Sequence, residues 1–131
     1  MNTKKDTLIS NGVQSRAAWN EDGIKIFYSK KPNYPNKHGS KYFDLFQYDF
    51  RDKKESRLTH GSRGFSPVCI SDTTLAYIAT FGGFQNIYLL NLNSKIITQM
   101  TDFPDKRIVH SLYYNNKDKR IIFDYTFNHF R

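Results

Sequence analysis

The chain has 131 residues, which is room for one domain of ordinary size. Its aromatic content of 16% is too high for a disordered segment, and its apolar runs are shorter than the roughly 18–20 residues that a membrane-spanning helix requires. The single cysteine, Cys69, excludes an internal disulfide and a multi-cysteine zinc site, whereas the net charge of +8 is compatible with an anionic partner.

Short runs of β-branched and aromatic residues, bounded by Gly, Asn, Asp and Pro, predict strands along the whole chain. The first is an orphan outer strand within 7–12. Four strands of a first copy are then predicted near Arg16–Trp19, Ile24–Ser29, Phe43–Asp49 and Glu55–Thr59. Four strands of a second copy follow near Ser66–Ile70, Thr74–Thr80, Asn86–Leu92 and Ile96–Thr101, and a further strand is predicted over Arg120–Thr126.

The strand pattern repeats along the chain. Residues 44–49 match residues 86–91, forty-two positions later, and Leu58-Thr59 matches Met100-Thr101 at the same offset. A unit of about 40–45 residues with four short antiparallel strands is the repeat of a β-propeller blade. The sequence therefore predicts an all-β fold, a β-propeller segment of two full four-stranded blades with partial blades at both ends.

This division predicts one partial propeller domain over residues 1–131. Within it we expect the orphan outer strand at 7–12, blades at 14–61 and 62–103, and an incomplete blade at 104–131. A half-built blade leaves unpaired ladder groups at its edge. The chain is therefore expected to be a piece of a longer protein and to self-associate through open blade edges.

Two features predict where the core lies. Tyr28 aligns with Tyr77 and Phe46 with Tyr88, so most rings occupy repeated strand positions and are predicted to serve core formation. Between residues 64 and 94 the only charged residue is Asp72, which predicts a second blade covered on both faces.

The motifs within each copy resemble the blades of TolB-like (WD40-like) propellers. That family's blades run from a W-S-P-D-G turn through a hydrophobic strand to D-I-Y-x-x-D-L and then R-x-L-T. The corresponding residues here are Trp19-Asn20-Glu21-Asp22-Gly23, Asp44-Leu45-Phe46-Gln47-Tyr48-Asp49 and Arg57-Leu58-Thr59. The resemblance covers nearly the whole chain, and it implies protein partners and a periplasmic or cell-envelope setting.

The sequence contains no catalytic motif and predicts no cofactor or metal. His60-Gly61-Ser62-Arg63-Gly64 departs from the G-x-S-x-G nucleophile elbow because its first residue is His. The four histidines lack metal-ligand spacing, and Cys69 is predicted to be a small core residue. A non-catalytic chain is the favoured interpretation.

The favoured function is a protein-binding or scaffolding platform, with contacts made by loops and by the funnel that innermost strands line. The candidate contact residues are Tyr34, His38, Arg63 and Arg107. One alternative is the propeller of a prolyl-oligopeptidase-like serine hydrolase whose catalytic domain is absent from this chain. The other is binding of anions or nucleic acid by basic loops; nucleic acid is the less expected partner, because most rings occupy core positions.

Overall fold

A computed structural model describes residues 8–32 and 42–127, and the described residues form ten antiparallel strands. The first four are β1 (Val13–Trp19), β2 (Lys25–Lys30), β3 (Asp44–Asp49) and β4 (Lys54–Arg57). The next four are β5 (Gly64–Ser71), β6 (Thr74–Phe81), β7 (Phe84–Asn91) and β8 (Ile97–Gln99). The last two are β9 (Ile108–Asn115) and β10 (Arg120–Thr126).

Each strand pairs with the next along the chain, which gives two four-stranded sheets and one two-stranded sheet. The first sheet has the order β1-β2-β3-β4, the second β5-β6-β7-β8, and the third consists of β9 and β10. This is the predicted all-β architecture of propeller blades, and it is confirmed. In the described ranges we find no helix, and hence none with the length and apolar character to cross a membrane.

Asx and glycine turns end the strands. The Oδ1 atoms of Asp49, Asn91 and Asn115 each accept backbone N–H groups two and three residues onward, at 2.8–3.5 Å. These side chains replace the ladder partners that the chain loses as it turns. Between β6 and β7, Gly82 and Gly83 both have positive φ, as a two-residue hairpin with this twist requires.

Most strand limits differ from prediction by one or two residues, β9 had no predicted range, and three differences have a clear physical reason. Residues 8–12 form no strand here, because a strand needs a paired neighbour and none of the described strands pairs with them. β1 begins three residues before the predicted Arg16, because polar residues and a bulge hide its alternation in the sequence. β8 is shorter than predicted, and its three residues are all exposed.

The second sheet is covered on both faces, as the sequence predicted. One face presents Leu75 and Tyr77 to a cluster that includes Phe27 and Leu45 of the first sheet. The other face presents Ala76, Ile78 and Ile87 to a cluster with Val109 and Leu112 of the third sheet. Side chains alternate along β6, so a single strand supplies both cores.

The aligned rings form equivalent pairs in the two complete sheets. Tyr28 stacks on Phe46 with ring centroids 6.4 Å apart, and Tyr77 stacks on Tyr88 at 5.8 Å. Each pair joins directly opposed residues of the second and third strands of its sheet. The prediction that these rings serve the repeated core is therefore confirmed for these four positions.

The hairpin topology gives the sheets two distinct ends. We call the end that carries the β2–β3 and β6–β7 loops and the β4–β5 and β8–β9 connections the connector end. The opposite end, which carries the remaining hairpin turns, is the turn end. Two of the four candidate residues, Arg63 and Arg107, lie at the connector end, directly before β5 and β9.

Candidate binding surface at the connector end

Arg63 is fixed at the connector end by local backbone constraints. Its φ is +58°, a left-handed conformation that costs a non-glycine residue roughly 1 kcal/mol. The following residue must be glycine, because a Cβ on Gly64 would lie 2.8 Å from Cδ2 of Tyr77 and 3.1 Å from Cγ of Leu45. Close packing of β5 against Tyr77 of its own sheet and Leu45 of the first sheet thus fixes the backbone next to Arg63.

The Arg63 guanidinium lies between two rings that come from different loops. Its Cζ is 3.9 Å from the centroid of Tyr42, which precedes β3, and 5.4 Å from that of Phe81, at the end of β6. Both rings are about half exposed, at 49% and 41%. Stacking on ring faces leaves the in-plane N–H groups of a guanidinium available to a planar acceptor.

A cavity of about 270 Å³ adjoins Arg63. Its walls are Tyr42, Phe43, Arg63, Phe65 and Thr80, so it combines an apolar interior with one cation at its margin. Pockets of this kind take an apolar group whose orientation is set by a few polar contacts.

Arg107 directly precedes β9, and its guanidinium is both stacked on rings and ion-paired. Its Cζ lies 4.2 Å from the Phe103 centroid, 4.3 Å from Tyr125 and 5.0 Å from Phe127. Its Nε and one terminal nitrogen donate to the two carboxylate oxygens of Asp105 at 2.7 and 2.9 Å. The hydrogen bonds from Arg107 lower the pKa of Asp105, so the pair remains ionised at neutral pH.

Asp44 anchors the connection that leads to Arg63. Its buried carboxylate accepts hydrogen bonds from the backbone N–H groups of Gly61 and Ser62, both hydroxyls of Thr59 and Ser62, and a guanidinium nitrogen of Arg57. Burial opposes ionisation, but these donors outweigh it and lower the pKa. The connection before β5 is therefore rigidly held.

The remaining candidates from the sequence have other environments or lie elsewhere. Tyr34 and His38 are outside the described residues. Ser62 is buried, and its hydroxyl donates to Asp44, whereas His60 is exposed. Cys69 packs against the first core cluster, and burial raises the pKa of its thiol to about 11, which leaves it protonated at neutral pH.

The described residues contain no group of three or more His, Cys, Asp or Glu side chains placed to hold a metal ion. His110 bonds the Thr126 hydroxyl across the β9–β10 pair.

The sequence interpretation selected both arginines but missed the rings around them. Tyr42 is twenty-one residues before Arg63 and Phe81 is eighteen after it, so no local spacing links them. Phe81 did carry one signal, since it opens the Phe81-Gly82-Gly83-Phe84 hairpin and is therefore expected at an end of its sheet.

No protein-family model and no curated protein matches the chain. Solved structures do match it. A protein assigned as TolB from Agrobacterium tumefaciens aligns with a TM-score of 0.69 and 18% identity, over 91% of this chain and 41% of that one. TolB from Acinetobacter baumannii aligns with a TM-score of 0.67 and 15% identity, over 88% of this chain and 28% of that one. At this identity the likeness shows the fold, a TolB-like β-propeller segment, and the chain spans less than half of either protein.

Proposed function

We propose that the chain is a non-catalytic, protein-binding or scaffolding platform that contacts its partner through the connector end. The observation that carries this proposal is the exposed cluster of Arg63 with Tyr42 and Phe81. Arginine and aromatic residues are enriched at protein interfaces and among the residues that dominate their binding energy. A cell-envelope setting, as the TolB-like resemblance implies, is part of the proposal.

Preorganisation supports this choice of surface. Binding becomes weaker when flexible side chains must be ordered at the interface. Arg63 is already held between two rings, and the connection before it is anchored on the buried Asp44 carboxylate. A partner that contacts this cluster therefore meets a surface whose main side chain is positioned in advance.

The basic residues do not favour a nucleic-acid surface. Lys53-Lys54 and the Lys117–Arg120 turn lie at the turn end, whereas Lys30-Lys31 and Lys106-Arg107 lie at the connector end. Lys30 is further paired with Glu55 at 2.9 Å. Nucleic-acid binding needs its cations along one groove or face, and these clusters are divided between opposite ends.

Site-specific photo-cross-linking tests the proposal. A photoreactive phenylalanine analogue replaces either Phe81, 41% exposed at the connector end, or Phe50, 39% exposed at the turn end. We expect illumination in the producing cells to give a protein adduct from position 81 that is absent from position 50. Equal adducts at both positions, or none above background at position 81, would refute a connector-end interface.

A further inference from the structure

We infer that Arg63 is a carboxylate-binding site, which takes an acidic group of a partner polypeptide with an adjoining apolar residue in the neighbouring cavity. This inference rests on the proposed function and specifies the chemistry that the connector end recognises. Two ring-stacked arginines of this chain, Arg63 and Arg107, support it.

Arg63 and Arg107 occupy similar places at the connector end, although the ladder registers do not make them the same repeat position. Each directly precedes the first strand of its sheet, and each faces a ring at or just after the end of the second strand. The Cζ of Arg63 lies 5.4 Å from the Phe81 centroid, and the Cζ of Arg107 lies 5.0 Å from the Phe127 centroid. Arg107 takes a carboxylate two residues before it, that of Asp105, in a two-point ion pair. The residue two before Arg63 is glycine, Gly61.

Among the described residues no carboxylate lies within ion-pair distance of Arg63. The acid adjacent to its connection, Asp44, is fully buried and already accepts five hydrogen bonds from other donors. Of these two ring-stacked arginines, Arg107 therefore has an internal carboxylate, whereas Arg63 has none among the described residues.

The surroundings of Arg63 define the rest of the ligand. The cavity of about 270 Å³ beside it is bounded mainly by Phe43, Phe65 and Tyr42, and it has room for an aliphatic side chain. A guanidinium binds a carboxylate through two parallel N–H···O bonds, and lysine cannot reproduce this geometry. The net charge of +8 also favours the approach of an acidic segment.

Peptide titration observed at the Arg63 Nε–Hε resonance of the ¹⁵N-labelled chain tests the site. Three peptides separate the possible sources: acetyl-Gly-Ser-Gly-Leu with a free C-terminus, amidated acetyl-Gly-Ser-Glu-Leu-Gly, and the amidated Gln analogue of the latter. We expect a saturable shift with one or both carboxylate peptides and none with the Gln peptide. The carboxylate peptide that responds identifies a chain terminus or an acidic side chain as the source.

Two variants test the role of the guanidinium. Arg63→Lys retains the charge but not the fork geometry, so we expect peptide affinity to fall at least tenfold. Because this variant lacks the Nε–Hε resonance, the backbone amide resonance of Gly64 serves as the readout for both variants. Arg120→Gln removes an exposed arginine from β10 and serves as the matched control, with affinity unchanged. Equal losses in both variants would reduce the effect to general charge attraction and would overturn the inference.

The Asp105–Arg107 pair suggests a second test. Gly61→Asp places a carboxylate two residues before Arg63, the same separation as that of Asp105 from Arg107. A Cβ there meets nothing within 4 Å, and Asp tolerates the positive φ better than most residues. We expect this variant to abolish peptide binding and Gly61→Asn, its uncharged match, to retain it. Conversely, Asp105→Asn is expected to make the Arg107 resonance respond to the carboxylate peptide.

Three outcomes would overturn the inference: a response to the Gln peptide equal to that of the Glu peptide, an equal response to inorganic phosphate at the same concentration, or unchanged binding in Gly61→Asp. The proposed function fails separately. If the position-81 adduct forms while the Arg63 resonance does not respond to the carboxylate peptides, only the ligand assignment is wrong. If the carboxylate peptides bind but no adduct forms, the protein-interface proposal is wrong.

Discussion

At the scale of single residues, the third and fourth strands of the two complete sheets carry polar side chains at matching positions, charged in the first sheet and neutral in the second. In the first sheet Asp44 and Arg57 are ion-paired at 2.7 Å, and Arg57 also donates to the Thr59 carbonyl. In the second sheet their counterparts are Asn86 and Gln99, and Gln99 donates to the Thr101 carbonyl at 2.7 Å. Both positions are charged in the first sheet and neutral in the second, so the buried acid and its cation occur together.

Asp44→Asn alone should destabilise the fold by about 3 kcal/mol, because it leaves Arg57 partly buried without its counter-charge and turns an amide donor toward other donors. Adding Arg57→Gln, which copies the second sheet, should restore part of this loss. Urea denaturation of the two single variants and the double variant measures the coupling. Arg51→Ala removes the largely exposed partner of Asp49 and should change nothing measurable. A double variant no more stable than Asp44→Asn would contradict the expectation that the neutral residues of the second sheet can replace the ion pair of the first.

The same carboxylate predicts a dependence of stability on pH. Burial raises the pKa of Asp44, but hydrogen bonds from Gly61, Ser62, Thr59 and Arg57 lower it by a larger amount. The folded-state pKa is therefore below the unfolded value. A depressed folded pKa contributes stability above the unfolded pKa, about 3.9, and loses it as the pH falls through the folded value.

Urea midpoints measured at pH 7 and pH 3 should therefore fall more steeply for the native chain than for Asp44→Asn. Glu55, whose pKa is also lowered, contributes its own loss in both proteins. Parallel declines in the native chain and the variant would show that Asp44 does not control acid stability.

At the scale of strands, the first strands of neighbouring sheets are joined by their bulges. Ser15 in β1 and Ser66 in β5 both have positive φ, at 68° and 52°, and each interrupts its ladder. The Ser66 N–H donates to the Ser15 hydroxyl oxygen at 2.9 Å. The Ser66 N–H, which the bulge in β5 leaves outside the ladder, is thus hydrogen-bonded by a side chain of the first sheet.

The start of β5 is the tightest point of this junction. Gly64→Ala should destabilise the fold by about 1–3 kcal/mol, since the new methyl meets the Tyr77 ring and the Leu45 side chain rather than open space. Gly23→Ala is the control; it is strained by its φ of +74° but has nothing within 4 Å, so it should cost less. Thermal unfolding of both variants measures the difference. A smaller decrease in melting temperature for Gly64→Ala than for Gly23→Ala would mean that the neighbouring side chains shift to accommodate the methyl group.

The strands show how far sequence reasoning reaches. β6 was predicted within one residue because its apolar run is buried on both faces, and the mostly exposed β10 was predicted at its observed limits from its run of β-branched and aromatic residues. β1 was underestimated because six of its seven residues are exposed and its bulge breaks the alternation. The connector end follows the same rule: Arg63 and Arg107 stand out in the chain, whereas the contacts of Tyr42 and Phe81 with Arg63 are set only by the tertiary fold.

At the scale of the whole molecule, the second sheet is the element on which the others depend. Its β6 strand contributes Leu75 and Tyr77 to the core shared with the first sheet, and Ala76 and Ile78 to the core shared with the third. In repeat architectures stability is approximately the sum of each unit and its interfaces with its neighbours. The two interfaces should therefore be separable by mutation.

The core between the first and second sheets is larger than the core between the second and third, and rates of amide hydrogen exchange should reflect this difference. The first–second core contains the larger set of fully buried side chains, whereas β10, with five of seven residues exposed, rests on β9 alone among the described strands. We expect the slowest amide exchange in β6 and β7 and the fastest among the ladders in β9 and β10.

Val109→Ala, in the second–third core, should accelerate exchange in β9 and β10 while leaving β1 to β4 nearly unchanged. Leu75→Ala, fully buried in the first–second core, should cost about 2–5 kcal/mol and accelerate exchange throughout the two complete sheets. Exchange followed by mass spectrometry on proteolytic fragments resolves the three sheets. If Val109→Ala accelerated all of them equally, the molecule would unfold as one cooperative unit, and its sheets would not be energetically distinct repeats.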